Sequence, residues 1–452
     1  MQISWDRNRI LSRDRVLASA LVLLATLTRL WNLKGPSLWM DEAFSHLLAV
    51  LPMETAWSAM ITDAVHPPLY YLLLRPWLDL AGASEFALRF PSVVAGVLTV
   101  ALVIRTARQW LGRRAAGWAG LLLAVNPFHV WYSQEARTYA LLGALALAVL
   151  AVFWEALRLR QTRPWPALGV LSGCAYLKHH FALFLPLVQF VYLLPTFRRN
   201  HRTLVRWTVT QTAAFLPLAA WLTALYSTGG GTFGIGWIPR PGPDDLLKTF
   251  WAFTMAYDGR LNPLVVVGTS VSAGLLLWAV WRASEGQGTK GLLFLSVALP
   301  PLVTFALSAR RPAYVDRYFI GSLPPLIMLI GAGLDQVPRL WRWVAVSILI
   351  GLGVRDVARF QTDPVFAREG WREAASYEET HEKEDDVLAV RRFGYRVPFD
   401  YYYRGHLEIN AVTLNQRPPP GRSGGRSSTT VVGLSRAAHR STSSRVESAV
   451  RS

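Results

Sequence analysis

Apolar residues in this chain are gathered into long blocks separated by short Arg-rich or Pro-rich connectors. The blocks cover 16–33, 86–107, 116–131, 139–157, 167–177, 181–197, 207–226, 263–281, 292–307, 319–334 and 344–357, eleven in all. A helix needs about twenty predominantly apolar residues to cross the hydrocarbon core of a bilayer, and many of the blocks approach that length. The pattern predicts an all-α polytopic membrane protein with about eleven transmembrane helices. The blocks around Leu171 and Phe184 are parted only by Lys178-His179-His180, so they are two short spans or one long bent one.

The first block follows Arg7, Arg9, Arg13 and Arg15, as a secretory signal would. It is long for a signal h-region and lacks a small-x-small cleavage site, so it reads as a retained anchor. Eleven reversals place the N-terminus, Arg105/Arg108/Arg113/Arg114, Arg158/Arg160/Arg163, Arg198/Arg199/Arg202/Arg206, Arg282/Lys290 and Arg339/Arg342 on one side. By the positive-inside rule that side is the cytoplasm. The opposite face receives 37–74, the 126–138 turn, the Lys178 turn, 227–262, the 310–317 turn and everything after Ala358. It is poorer in basic residues and richer in Pro, His, Tyr and carboxylates, so the chemistry is expected on the extracytoplasmic side of the plasma (inner) membrane.

Composition adds three points. The 452 residues are 52% hydrophobic and 17% charged with 19 Trp, which fits a membrane protein. Cys174 is the single cysteine, so no disulfide within the chain and no Cys-type metal site is available. Of the net charge of +18, a third lies in 416–452, which holds seven Arg against Glu447 and no aromatic residue. That tail is expected to be disordered, and its basicity points to anionic lipid headgroups and away from nucleic acid. The expected organisation is a cytoplasmic N-terminus (1–15), a membrane domain (16–358) and a small extracytoplasmic domain (359–415) ahead of the tail. The membrane domain carries a first extracytoplasmic loop (34–85) and another at 227–262. The small domain reads as a helix followed by short strands, FDYYYRG among them. In the first loop, 54–61 and 68–80 read as helices lying along the membrane surface, with Trp39, Trp57 and Trp77 at headgroup level.

Within that loop, SLWMDEAFS sets Asp41 beside Glu42, and HPPLYYLLL follows with His66 ahead of two prolines. A carboxylate near an apolar surface can have its proton affinity raised, and one that keeps its charge can draw a proton from an incoming hydroxyl. Equally, Asp41 can cap a helix starting at Glu42. The stretch NPFHVWYSQEARTYALL places Tyr132, Glu135, Arg137 and Tyr139 where one span meets the next on the same face. Arg137 suits a phosphate, with Glu135 to orient it, or the two form a structural pair closing a tight turn. Arg89, in ALRFPS, is a charge close to hydrocarbon and must face protein, a cavity or a lipid head. His66 can touch a phosphate or sit wet at the surface. Lys178-His179-His180 clusters donors without the acids a metal site needs. Arg317 and Tyr318 open a late span, and Arg317 suits a phosphate or sugar hydroxyl, or anchors the span at the interface.

SLWMDEAFS, HPPLYYLLL, ALRFPSVVAGVLTV, NPFHVWYSQEARTYALL and DRYFIGSLPPLIMLIG together resemble the membrane-embedded glycosyltransferases of the GT-C class. The likeness is to the group of protein O-mannosyltransferases and the lipid A aminoarabinose transferase (glycosyltransferase families 39 and 83), over roughly 33–331 with a weaker echo in 369–405. The resemblance implies a GT-C fold and a polyprenyl-phosphate-linked sugar donor whose phosphate sits at the extracytoplasmic rim. Asp41 then stands at the position of the catalytic base with Glu42 as its neighbour. His66 stands where some relatives have Lys against the donor phosphate, Arg137 and Arg317 contact phosphate or donor, and Arg89 is a structural or donor-facing charge.

The expected reaction is an inverting transfer to a glycan, glycolipid or protein acceptor, with Asp41 as general base. No cofactor is firmly implied; some members of the wider class use Mg or Mn, and no convincing ligand set is visible. Two readings of other classes stand beside it: a transporter or flippase of lipid-linked sugars, and a non-catalytic assembly protein for envelope polysaccharide. A transporter predicts mid-span charges and internal repeats. The acids cluster at a rim, and no repeat is evident.

Overall fold

A computed structural model describes residues 2–63, 66–159, 161–196, 200–228, 236–255, 262–282, 288–383, 386–391, 393–407, 409–412 and 429–432. The protein is a polytopic bundle of α-helices. Among the described residues six are long and apolar enough to cross a membrane: Glu85–Trp110, Tyr139–Leu159, His201–Ser227, Pro263–Trp281, Gly288–Ser308 and Asp316–Gln336. The other five expected blocks are also helical, at Gln2–Leu30, Arg113–Ala124, Pro164–Tyr176, Phe184–Leu193 and Arg339–Thr362. Three of these are too short to span alone, and the other two carry several charges.

The expected continuous span at 116–131 is broken. Asn126 sits before Pro127 with extended backbone (φ −69°, ψ 119°), and its side chain accepts from the His129 amide. Proline disfavours helical geometry in the residue before it, so the chain stops at Ala124 and restarts as the short Pro127–Ser133 helix. The freed carbonyls of Leu123 and Ala124 are taken by Arg29, whose guanidinium is fully buried and reaches both at 3.0 Å. A cation at the negative end of a helix relieves the carbonyls that have no intrahelical donor.

The Asp316–Gln336 segment lies at the centre, with 89% of its apolar window buried against 28% for His201–Ser227. It packs on Arg113–Ala124 and Pro263–Trp281. Glycine permits that closeness: a Cβ at Gly331 would stand 2.8 Å from the Ala115 carbonyl oxygen and 2.9 Å from the Ala119 nitrogen.

The first loop folds into three helices, Met40–Val50, Met53–Asp63 and Leu69–Ala81. The last two match in position the helices expected at 54–61 and 68–80. The first begins at Met40 with Trp39 as its N-cap residue and no side-chain cap, so Asp41 does not cap it. Trp57 is exposed as expected, whereas Trp77 turns inward and donates to the Ala87 carbonyl at 2.8 Å.

Beyond the bundle come the helix Trp371–His381, the strand Val387–Arg391, the helix Phe393–Tyr402 and two further strands, Ile409–Val412 and Thr429–Val432. Both of these strands pair parallel with Val387–Arg391, which is central. Two expectations are corrected here. FDYYY is helical and not strand, because its aromatic residues are shared between two partners. Phe399 packs on Trp371 and Leu388, while Tyr401 and Tyr402 reach the first loop. Residues 429–432 of the expected disordered tail form a strand; the remainder of 416–452 lies outside the described residues.

Gly331→Val places two methyl groups where backbone already stands. Overpacking of this kind costs about 1–3 kcal/mol. The expected outcome is a lower midpoint of thermal unfolding in detergent than for Gly274→Val, since nothing lies within 4 Å of a Cβ at Gly274.

Candidate active site

Asp41 and Glu42 are adjacent in sequence but about 100° apart around the Met40–Val50 helix, so their side chains enter different surroundings. Glu42 points inward and is fully buried. Arg89 grips it with both ends of its fork, Nε at 2.9 Å and Nη2 at 2.8 Å. The Ala136 amide donates to the same carboxylate at 2.8 Å, and Arg368 donates to it from the far end of the chain. Burial alone would raise this carboxyl; Arg368 and then Arg89 outweigh it and hold Glu42 down at about 2. Arg89 spends its remaining protons on the carbonyls of Leu33, Pro36 and Ser37 at 2.7, 2.9 and 3.1 Å. The charge expected to face protein, cavity or lipid faces protein.

Asp41 points outward, its side chain 20% exposed, and pairs with Arg137 at 3.2 Å. Arg137 also donates to the Asp41 carbonyl at 3.2 Å. Behind Arg137 lies a basin of cations and rings. Lys178 is fully buried, with its ammonium 3.7 Å from the Tyr70 ring centre and no hydrogen-bond acceptor among the described residues. Burial, then Arg137, pushes this amine well below its ordinary range. The His66 and His179 rings meet edge to face at 5.2 Å, and the Nε2 atom of each is buried without a partner among the described residues. Burial, then neighbouring positive groups, pushes both imidazoles well below their ordinary range.

Arg317 lies over the rings of Trp237, Tyr318 and Tyr139 at 5.5, 5.8 and 5.9 Å. Tyr139 in turn contacts Tyr132 at 5.2 Å and Tyr318 at 6.4 Å. Glu135 closes the basin on the side of Arg368, which approaches it to 3.5 Å, and keeps its Oε2 unpartnered among the described residues. Burial raises Glu135 to about 7 despite Arg368. The expected Glu135–Arg137 pair is not formed: Arg137 goes to Asp41 and Glu135 to Arg368.

The arrangement therefore brings together four sources of positive charge or N–H donors, Arg137, Lys178, Arg317 and the His66/His179 pair, with Asp41 partly exposed beside Arg137 and Asp316 partly exposed beside Arg317. Buried cations without anionic partners are costly, and an anion entering among them relieves that cost. Tyr318 and Phe319 continue from the basin into an apolar groove lined also by Leu150, Phe184, Leu185 and Val188. Among the described residues no three His, Cys, Asp or Glu side chains converge as metal ligands.

The sequence singled out every member of this cluster except Arg368, Trp237 and Tyr70. Arg368 stands in a charged run with no spacing signal linking it to residues more than 200 positions earlier. Tyr70 lies in HPPLYYLLL, where the two tyrosines read as surface-helix residues, and Trp237 lies in the 227–262 loop, which the sequence marks only as a second extracytoplasmic loop.

Glu42 and Glu135 act on stability with opposite sign. Glu42 is lowered from 4.5 to about 2, so its contribution is present above 4.5 and lost as pH falls through about 2. Glu135 is raised from 4.5 to about 7, so it costs stability as pH rises between those values. Thermal unfolding followed across pH should show Glu42→Gln flattening the acid limb and Glu135→Gln flattening the fall toward neutrality. Glu42→Ala, which leaves Arg89 buried and unpaired, should cost about 3–5 kcal/mol.

Comparison with known proteins bears on this arrangement. Residues 65–226 match the family described as dolichyl-phosphate-mannose-protein mannosyltransferase. That stretch takes in His66, Arg89, Arg137 and Lys178 and stops short of Asp41 and Arg317. No curated protein sequence matches the chain. The structure is similar to ArnT from Cupriavidus metallidurans in the apo state, at 18% identity and a TM-score of 0.59, over 86% of this chain and 85% of that one. The values are the same for ArnT bound to undecaprenyl phosphate. It is also similar to the archaeal oligosaccharyltransferase AglB from Archaeoglobus fulgidus, in complex with an inhibitory peptide and a dolichol-phosphate, at 11% identity and a TM-score of 0.56. That likeness covers 88% of this chain and 64% of the archaeal one. The chain has the GT-C fold, and within it residues 65–226 carry the sequence pattern of the dolichyl-phosphate-mannose-protein mannosyltransferase family.

Proposed function

We propose that the protein is a glycosyltransferase that moves a sugar from a polyprenyl-phosphate-linked donor to a hydroxyl acceptor at the extracytoplasmic face of the plasma (inner) membrane. The observation that carries this reading is a partly exposed carboxylate, Asp41, paired with Arg137 at the edge of a buried basin that holds unpartnered N–H donors on Lys178, His66 and His179 among the described residues. The donor phosphate occupies the space among Arg137, Lys178, His66 and Arg317, and its lipid tail follows the groove past Tyr318 and Phe319. The tyrosines 132, 139 and 318 form the wall against which the sugar is held. The matched family and the neighbour bound to undecaprenyl phosphate support a lipid-phosphate donor.

Asp41 accepts the acceptor's proton as the new oxygen–carbon bond forms at the anomeric centre. The bond to the phosphate oxygen breaks on the opposite side, inverting the configuration. The departing lipid phosphate carries the electron pair into a site already lined with positive groups, so a strong general acid is not needed. Glu42, fully occupied by Arg89, Ala136 and Arg368, holds the loop and does not exchange protons. Residues 16–358 form the membrane domain in this reading, with the N-terminus cytoplasmic, and 359–415 a segment docked on the outer rim. Protein, glycolipid and glycan hydroxyls are the acceptor classes.

Transfer from a panel of radiolabelled polyprenyl-phosphate sugars, in membranes carrying each variant, tests the assignment. Removal of a general base costs about 100-fold or more, so Asp41→Asn should abolish measurable transfer while still binding undecaprenyl phosphate. Lys178→Met should weaken that binding about tenfold, the worth of one charge-assisted contact. Undiminished transfer by Asp41→Asn removes the base role, and no donor consumption by the wild type returns the transport and assembly readings.

A further inference from the structure

The C-terminal segment places one side chain in the rim of the site. Arg368 is 9% exposed, lies over the Trp131 ring at 5.3 Å, and reaches Glu42 and Glu135 together. The backbone on either side of it is clamped. Upstream, Arg359 pairs with Asp363 at 2.9 Å, and Phe366 packs on Phe360 at 4.6 Å and Trp131 at 6.1 Å. Downstream, Arg372 binds Glu85 at 2.6 Å and the carbonyls of Gly35 and Lys34 at 3.1 and 3.2 Å. Ser37 donates to Glu373 at 3.2 Å, and the Leu38 amide donates to the Tyr402 hydroxyl at 2.8 Å.

These contacts fall on the two stretches that carry Asp41 and Arg137. Glu42 follows Asp41 directly and receives the Ala136 amide, while Ala136 is flanked by Glu135 and Arg137. One guanidinium thus bridges the acid on the first loop to the acid on the 134–138 turn, and the Asp41–Arg137 pair lies between the same two stretches. Glu42 has Arg89 as a second cation. Arg368 is the one cation in ion-pair distance of Glu135 among the described residues.

We propose that Arg368 is a positioning residue of the transfer site, fixing the Asp41–Arg137 geometry through Glu42 and Glu135, so that the C-terminal segment completes the site. This rests on the transfer reading above. Loss of the bridge leaves Glu42 held by Arg89 and the fold intact, and leaves the 134–138 turn tied to the first loop by the Ala136 amide and Arg137 alone, with Glu135 unpaired. It therefore impairs the chemical step more than donor binding, because misplacing reacting groups costs rate while the basin that binds phosphate keeps its members.

Arg368→Gln in the full-length protein is compared with wild type by transfer kinetics and by hydrogen exchange at the Ala136 amide in substrate-free protein. The expected result is a fall in kcat of about 100-fold with donor KM little changed, and faster exchange at Ala136. Adding Glu135→Gln should cost nothing further, since both changes cut one bridge. Guanidinium ion in the buffer should restore part of the activity of Arg368→Ala. If Arg368→Gln does not accumulate as folded protein, Arg368→Lys carries the same readings, retaining the charge without the fork, with a smaller loss. Unchanged kcat and exchange, a loss confined to KM, or losses that multiply with Glu135→Gln overturn the proposal. A wild type inactive on every donor removes the reaction, and Ala136 exchange still decides for or against the Arg368 bridge.

Discussion

One rim of this protein is arranged around a buried guanidinium. Arg89 enters from the top of a membrane-spanning helix, where water cannot solvate it, and it must find anionic or carbonyl oxygen within the protein. It finds the Glu42 carboxylate and three carbonyls of 33–37, all from the first loop. A buried pair of this kind contributes little net stability over an apolar substitute, but breaking it leaves an uncompensated charge. Its consequence is specificity: only one placement of the first loop satisfies Arg89. That placement turns Glu42 inward and Asp41, one residue earlier on the helix, outward.

From there the constraint passes to the second stretch of the site. The Ala136 amide is bound to the carboxylate that Arg89 holds, so the 134–138 turn is registered against the first loop. The guanidinium of Arg137 arrives at Asp41 as a result. Lys178 and His179 are brought behind it by the sharp turn between the helices ending at Tyr176 and beginning at Phe184. Charge then accumulates with one sign. The cations are retained although burial works against them, and this is the electrostatic condition for receiving a phosphate. Apolar surface continues from the basin past Tyr318 and Phe319, and in the proposed reading it takes the hydrocarbon tail of the donor.

The division of labour between two adjacent carboxylates is the point at which sequence and structure part. From SLWMDEAFS, Asp41 and Glu42 read as a pair, and a cap and a base were equally available. The helix begins two residues earlier than the capping reading requires, with Trp39 at its N-cap position, and this removes that alternative. Arg137 and Glu135 are likewise close in sequence and separate in space, because a tight turn points them to different partners. The break at Asn126-Pro127 was written in the dipeptide but hidden by the apolar run around it. The helical FDYYY was hidden by β-favouring aromatics whose packing partners lie elsewhere in the chain.

The sequence by itself determined that this chain is a bundle of apolar helices, that its candidate site residues gather at one rim, and which residue types they are. These follow from hydrocarbon length, charge bias and local motif, all of which are properties of short stretches. Tertiary structure alone decided which acid is buried between guanidiniums and which stays partly exposed beside Arg137, that Lys178 sits on a tyrosine ring, and that Arg368 joins residues more than 200 positions away. Pairings of buried charges are set by the sum of desolvation and contact over the whole fold, and no spacing along the chain encodes that sum.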